Sequence, residues 1–166
     1  MAKVRFSIGR SARASVDVAA PLDSVWGLIA DVTRVGEWSV ECRSCEWLDG
    51  ATEAVPGARF RGHNRRNATM WSRTCVVDEV EPRRRFAWHT VPTRLLRDST
   101  AWSFDLRPEG AGVRLTQSMQ VLQIPTMYDV LFAAMLPQHR DRTADLEADL
   151  FRIKQRVEAT PGPAPE

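Results

Sequence analysis

From residue 141 to 157 the apolar side chains Leu146, Leu150, Ile153 and Val157 recur at steps of three and four, with Ala144 and Ala148 alongside. Steps of that size lay one apolar stripe along a helix and turn Asp145, Glu147, Asp149, Arg152, Lys154 and Arg156 mostly elsewhere. Running over residues 138–158, such a helix is roughly 30 Å long at ~1.5 Å per residue. Almost everything upstream reads as strand, and strands of about nine or ten residues at ~3.3 Å each have a matching length. A long amphipathic helix and a sheet of equal length bury their apolar faces by lying along one another.

The strands can be placed in order. Ala14, Val16 and Val18 alternate with Arg13, Ser15 and Asp17, which predicts a strand with one buried face. Pro21 suits the first turn of a helix whose apolar side is Val25, Trp26, Leu28 and Ile29. Asp31 is placed to cap a short helical turn over residues 32–35, closed by Gly36. Strands are expected at residues 41–48, 60–66, 70–81, 85–91, 98–106 and 113–121. The first of these ends in the Asp49-Gly50 turn, and Pro108-Glu109-Gly110-Ala111-Gly112 marks a hairpin between the last two. Residues 127–136 are apolar on nearly all sides, and Pro137 breaks the helical run that follows. Residues 1–11 read as loosely held, 12–159 as one domain, and the Pro- and Gly-rich stretch 160–166 as a flexible tail. A run of strands set apart from helices predicts an α+β fold: a single antiparallel sheet of about seven strands, curved by its own twist around the C-terminal helix. A curved sheet gripping one helix encloses a space, either packed solid or left as a pocket.

Composition narrows the possible roles. With 166 residues, 43% of them hydrophobic, the chain can bury a core without disulfide staples. A net charge of only +2 argues against a nucleic-acid partner, and the clusters Arg65-Arg66 and Arg83-Arg84-Arg85 read as turns and solvated strand ends. Three cysteines, no apolar leader and no long uninterrupted apolar run point to a reduced, cytoplasmic protein with no integral membrane segment. Six Trp and six Phe against one Tyr supply large apolar rings for a core or a cavity wall.

Few residues carry chemistry. Cys42 and Cys45 form a C-x-x-C, but zinc would need a second ligand pair, and a redox motif belongs at a helix start. On a strand, residues three apart point to opposite faces, so a structural role is expected. His63, His89 and His139 share no chelating spacing, and neither a metal nor a cofactor is expected. His63 lies with Arg61 and Arg65 on one strand face; inward it offers a titratable imidazole, outward a solvated one. Trp71, Arg73 and Cys75 share a face of the next strand, and Phe86 and Trp88 one on the strand after it. With Thr100, Trp102 and Phe104, and with Gln117 and Met119, they form either a filled core or an aromatic cavity wall. Isolated polar members such as Arg73, Thr100 and Gln117 favour the cavity, because buried polar groups need partners. Within 127–136, Tyr128 and Asp129 are placed to meet a ligand at a mouth.

The order of a strand, then Ala20-Pro21-Leu22-Asp23-Ser24-Val25-Trp26, Leu28-Ile29-Ala30-Asp31 and Glu37-Trp38-Ser39 resembles the opening of the START-like (SRPBCC) superfamily. The likeness continues through Gly57-Ala58-Arg59-Phe60-Arg61-Gly62, Val80-Glu81-Pro82, Phe86-Ala87-Trp88 and Trp102-Ser103-Phe104-Asp105-Leu106. Within that group it is most similar to the polyketide cyclase/dehydrase-like branch. The resemblance implies a helix-grip fold of the Bet v 1 type, with a deep cavity for a lipid, polyketide or other hydrophobic small molecule. Trp38, Phe60, Leu131 and Met135 join the residues above as expected cavity lining. Binding or transport of such a ligand is the first expectation. The second is a cyclase/aromatase-type enzyme performing aldol cyclisation and dehydration, with His63, Arg73, Tyr128 and Asp129 as candidates to move a proton or polarise a carbonyl. The third is a protein-interaction module or homodimer formed through residues 127–136.

Overall fold

The structure, a computed structural model, describes residues 7–159. Seven strands form one antiparallel sheet: β1 (Ser11–Val18), β2 (Cys42–Trp47), β3 (Arg59–Arg66), β4 (Thr69–Glu81), β5 (Arg85–Thr90), β6 (Ser99–Glu109) and β7 (Gly112–Gln123). Their spatial order is β1-β7-β6-β5-β4-β3-β2, so each strand follows its neighbour by a hairpin or short loop except β1, which returns to pair with β7. Helix α1 (Leu22–Ile29) follows β1, α2 (Thr126–Met135) follows β7, and α3 (Thr143–Glu158) closes the fold. This is the α+β, helix-grip arrangement expected from the strand and helix periods. No helix among the described residues is long and apolar enough to cross a membrane.

Register decides which side chains share the concave face. Phe86 lies opposite Phe104 and Trp88 opposite Trp102; Trp102 in turn faces Met119, and Phe104 faces Gln117. Phe60 pairs with Cys75 and Gly62 with Arg73. Because side chains alternate along a strand, these positions point toward the helices and their neighbours point out.

The long helix is shorter than the sequence period suggests. Its 16 residues begin at Thr143, and Pro137–Arg140 form a separate 3-10 turn. Pro137 cannot donate into a continuing α-helix, and in the turn just before the restart the Asp141 carboxylate accepts from the Thr143 amide at 2.9 Å. Asp31 caps its turn as expected, accepting from the Thr33 amide at 3.0 Å. The looseness expected of residues 1–11 does not extend to their described part. The Ile8 amide donates to Asp129, the Gly9 amide to the His139 carbonyl, and the Val121 amide to the Arg10 carbonyl. The tail at 160–166 and residues 1–6 lie outside the described residues.

The interior has two halves. At one end Val25, Leu28 and Ile29 of α1 and Leu150, Ile153 and Val157 of α3 pack on Val18, Phe86, Phe104, Leu106 and Leu115 of the sheet. Phe86 and Phe104 are fully buried here, so they are core residues and not the cavity wall assigned to them from their strand faces. At the other end the sheet passes under α2, the 3-10 turn and the start of α3, and the interior is hollow.

Candidate functional site

The hollow end encloses a cavity of about 500 Å³. Its sheet wall carries Phe60 from β3, Trp71, Arg73 and Cys75 from β4, Trp88 from β5, Thr100 and Trp102 from β6, and Gln117 and Met119 from β7. Alternation along each strand turns these positions to one face of the sheet. Trp38, in the loop after the short helical turn, meets Phe104 edge-on at 5.5 Å and closes the boundary with the filled core. Trp88 continues that boundary, 4.9 Å from Phe86 and 5.9 Å from Phe104. Helix α2 roofs the space with Tyr128, Leu131, Phe132 and Met135. Several lining residues are also strongly exposed, Met70 at 74%, Leu95 at 81% and Met135 at 53%, and they mark the mouth.

Two of the candidates for proton chemistry stand elsewhere. His63 is 45% exposed on the convex side of β3, where its ring meets Ser72 at 2.8 Å and Glu46 at 3.4 Å. The inward face of β3 belongs to Phe60, Gly62 and Asn64, and His63 is one residue out of phase with it. Asp129 is buried but turned away from the cavity. It accepts from the Ile8 amide at 2.7 Å and from Arg10 at 2.6 Å, tying the N-terminal segment to α2. Of the four candidates for proton chemistry, Arg73 and Tyr128 line the cavity.

Charged residues that a sequence reader places in solvent form much of the polar lining. Glu41, at the entrance to β2, accepts from His139 at 2.7 Å and from Arg142 at 3.1 Å. Burial alone would raise the Glu41 carboxyl, but the His139 hydrogen bond and the Arg142 charge outweigh it and hold it at about 2. Arg142 also lies 5.3 Å over the Trp102 ring and 3.4 Å from Asp145, which in turn pairs with Arg66. Arg66, expected to be solvated, therefore ends a buried charge chain. On the opposite wall Arg73 donates to the Asp98 carboxylate at 2.5 Å and to its carbonyl at 2.7 Å.

Asp149 is the most unusual lining group. It sits on α3 with 7% exposure, accepting from the Val40 amide at 2.7 Å and from the Gln117 side-chain amide at 3.4 Å. Desolvation dominates those bonds and pushes its carboxyl up to about 7. Beside it the Gln117 Oε1 and Trp38 Nε1 are buried without a hydrogen-bond partner among the described residues, as is Arg73 Nε. Each borders the cavity. The arrangement is an aromatic box with one proton-exchanging carboxyl and several open donors and acceptors. Asp149 was missed because acidic residues on a helix default to solvent. Its spacing from Leu146 and Ile153 nevertheless lies on the buried stripe. Among the described residues no group of three or more His, Cys, Asp or Glu is placed to hold a metal ion.

Comparison with known proteins agrees with this architecture. The family model described as polyketide cyclase / dehydrase and lipid transport matches residues 10–158. Among solved structures, TTHA0849 from Thermus thermophilus superposes with a TM-score of 0.69 at 18% identity, covering 90% of this chain and 97% of that one. The Polyketide_cyc-like protein Cgl2372 from Corynebacterium glutamicum has a TM-score of 0.59 at 26% identity, covering 89% and 91%. The di-domain ARO/CYC protein BexL of the BE-7585A biosynthetic pathway has a TM-score of 0.62 at 18% identity; 90% of this chain matches 47% of BexL. No curated protein matches the sequence.

Proposed function

The chain belongs to the polyketide cyclase / dehydrase and lipid transport family, and from that premise we propose that it binds a hydrophobic, partly oxygenated small molecule in the hollow end of its grip. The observation that carries this reading is a cavity of about 500 Å³ walled by Trp71, Trp88 and Trp102. That volume falls within the ~300–1,000 Å³ of small-molecule sites, and apolar walls with a few placed polar groups are their usual make-up. The unpartnered Gln117 Oε1, Trp38 Nε1 and Arg73 Nε are the polar groups that a ligand's hydroxyl or carbonyl would satisfy. Such a ligand is a lipid or a polyketide with a flat apolar body and an oxygen function at its buried end.

Native mass spectrometry of the purified protein, and extraction of it with organic solvent, test the reading directly. Titration with 1-anilinonaphthalene-8-sulfonate, an aryl probe, adds a variant control: Thr100→Phe, which places a ring in the cavity, should abolish binding while leaving the circular dichroism unchanged. Equal binding by that variant refutes the site.

A second reading, catalysis of aldol cyclisation and dehydration, draws support from one observation. Asp149, held at about 7, is both acid and base near neutrality. Arg73 and Tyr128 remain as groups to polarise a carbonyl in this reading, while His63 and Asp129 have no access to the cavity. Turnover of a poly-ketone that survives Asp149→Asn unchanged excludes this assignment.

A further inference from the structure

Cys42 and Cys45 should point to opposite faces of β2, as residues three apart do on a regular strand. They do not. Cys45 lies opposite Gly62 and Ser44 opposite His63, but Cys42 lies opposite Asn64, so Arg43 is an extra residue in a β-bulge. The bulge brings both thiols onto the concave face, where both line the cavity and their sulfurs stand 3.6 Å apart. Gly62 makes the room for them: a Cβ there would lie 3.2 Å from one sulfur and 3.4 Å from the other.

We infer that Cys42 and Cys45 are a redox-active dithiol in the cavity wall, which a hydroperoxide admitted to the cavity oxidises to a disulfide. The two thiols are unequal. The hydrogen bond between the two thiols holds Cys42 below the ordinary thiol value and pushes Cys45 up. Cys42 is therefore the nucleophile and Cys45 the resolving thiol. Cys75, the third cysteine, is buried and pushed up to about 12 by desolvation, which leaves it inert.

The chemistry balances in two steps. The Cys42 thiolate attacks the outer oxygen of the hydroperoxide; the O–O bond breaks, the alkoxide leaves with a proton as the alcohol, and Cys42 becomes a sulfenic acid. The Cys45 sulfur then attacks the Cys42 sulfur; the S–O bond breaks, water leaves, and the disulfide forms. Two thiols lose two electrons and two protons, and the hydroperoxide is reduced to an alcohol and water. Closing 3.6 Å to the ~2 Å of a disulfide asks for a modest movement. Among the described residues β2 is the last strand of the sheet, and its ladder is already irregular at the bulge.

The test uses the reduced full-length protein and two oxidants, cumene hydroperoxide and hydrogen peroxide. The expected result is an intact mass lower by two hydrogens, a Cys42–Cys45 peptide link with Cys75 still alkylatable, and full reversal by dithiothreitol. Cys45→Ser should accumulate a dimedone-reactive sulfenic acid at Cys42, and Cys42→Ser should not. Phenylarsine oxide, which bridges paired thiols with loss of water, should form a one-to-one adduct with the wild type and Cys75→Ser but not with Cys42→Ser. Thiols that persist in the wild type, a link through Cys75, or a link between two chains overturns the inference. The wild-type result alone decides it if a variant does not fold. The readout requires no bound lipid or polyketide, so it stands or falls separately from the proposed function.

Discussion

Replacing Asp149 by asparagine should make this protein more stable, and increasingly so as the pH rises. The carboxyl is ordinarily half-ionised at 3.8 and in the folded protein at about 7. Between those values the native state keeps a proton that the unfolded chain has released, so stability falls as pH rises through this window and levels off above about 7. At ~1.4 kcal/mol per pH step, the ionised carboxylate costs the fold up to about 4 kcal/mol, of which half or more is a reasonable expectation after local relaxation. Asparagine removes the titration and keeps an oxygen for the Val40 amide. Its NH₂ replaces the oxygen that accepts from Gln117 Nε2 at 3.4 Å, and a flip of the Gln117 amide presents the unpartnered Oε1 to it instead. Guanidinium unfolding followed by tryptophan fluorescence, at about pH 5 and about pH 8, gives the wild-type-minus-variant difference and cancels the other titrating groups. The gap should widen at the higher pH, by about 2.5 kcal/mol for the full shift and by somewhat under about 1 kcal/mol if relaxation halves it. A gap of constant size, or a variant less stable at both values, would refute the assignment of a desolvated carboxyl to this site.

Three further perturbations probe the same frame. Arg73→Met leaves Asp98 buried without its cation and should cost about 3–5 kcal/mol in denaturant melts, most of it recovered in the double variant with Asp98→Leu. Gly36→Ala would set a Cβ 2.3 Å from the Arg43 carbonyl oxygen. Backbone cannot yield there cheaply, so a loss of about 2 kcal/mol and a melting point lower by roughly 4–8 °C are expected. Asp129→Ala frees the Ile8 amide and Arg10; hydrogen exchange should show protection lost around Gly9 while the β6–β7 pair keeps its own, at a cost of about 1–3 kcal/mol.

Strand alternation and helical period are local properties, and they specified what is local here. The inward faces of β4, β6 and β7, the Asp31 cap, the stripe on α3 and the α+β order all follow from neighbours in the chain. That Trp71, Trp88 and Trp102 stand on inward strand faces is local in the same sense, whereas core and cavity wall stayed open alternatives for them. What needed the tertiary structure is whatever depends on partners far apart in sequence or on a break in period. Whether Phe86 and Phe104 fill a core or line a hollow depends on where α1 lies over the sheet. The burial of Glu41, Arg66, Arg142 and Asp145 depends on segments about 80 to 100 residues apart meeting, which no residue pattern announces. Cys42 and Cys45 share a face because Arg43 bulges, and one inserted residue reverses the parity on which the sequence reading relied. A chain encodes its periods directly, but the dielectric around a charge and the phase of an edge strand exist only after the pieces have packed.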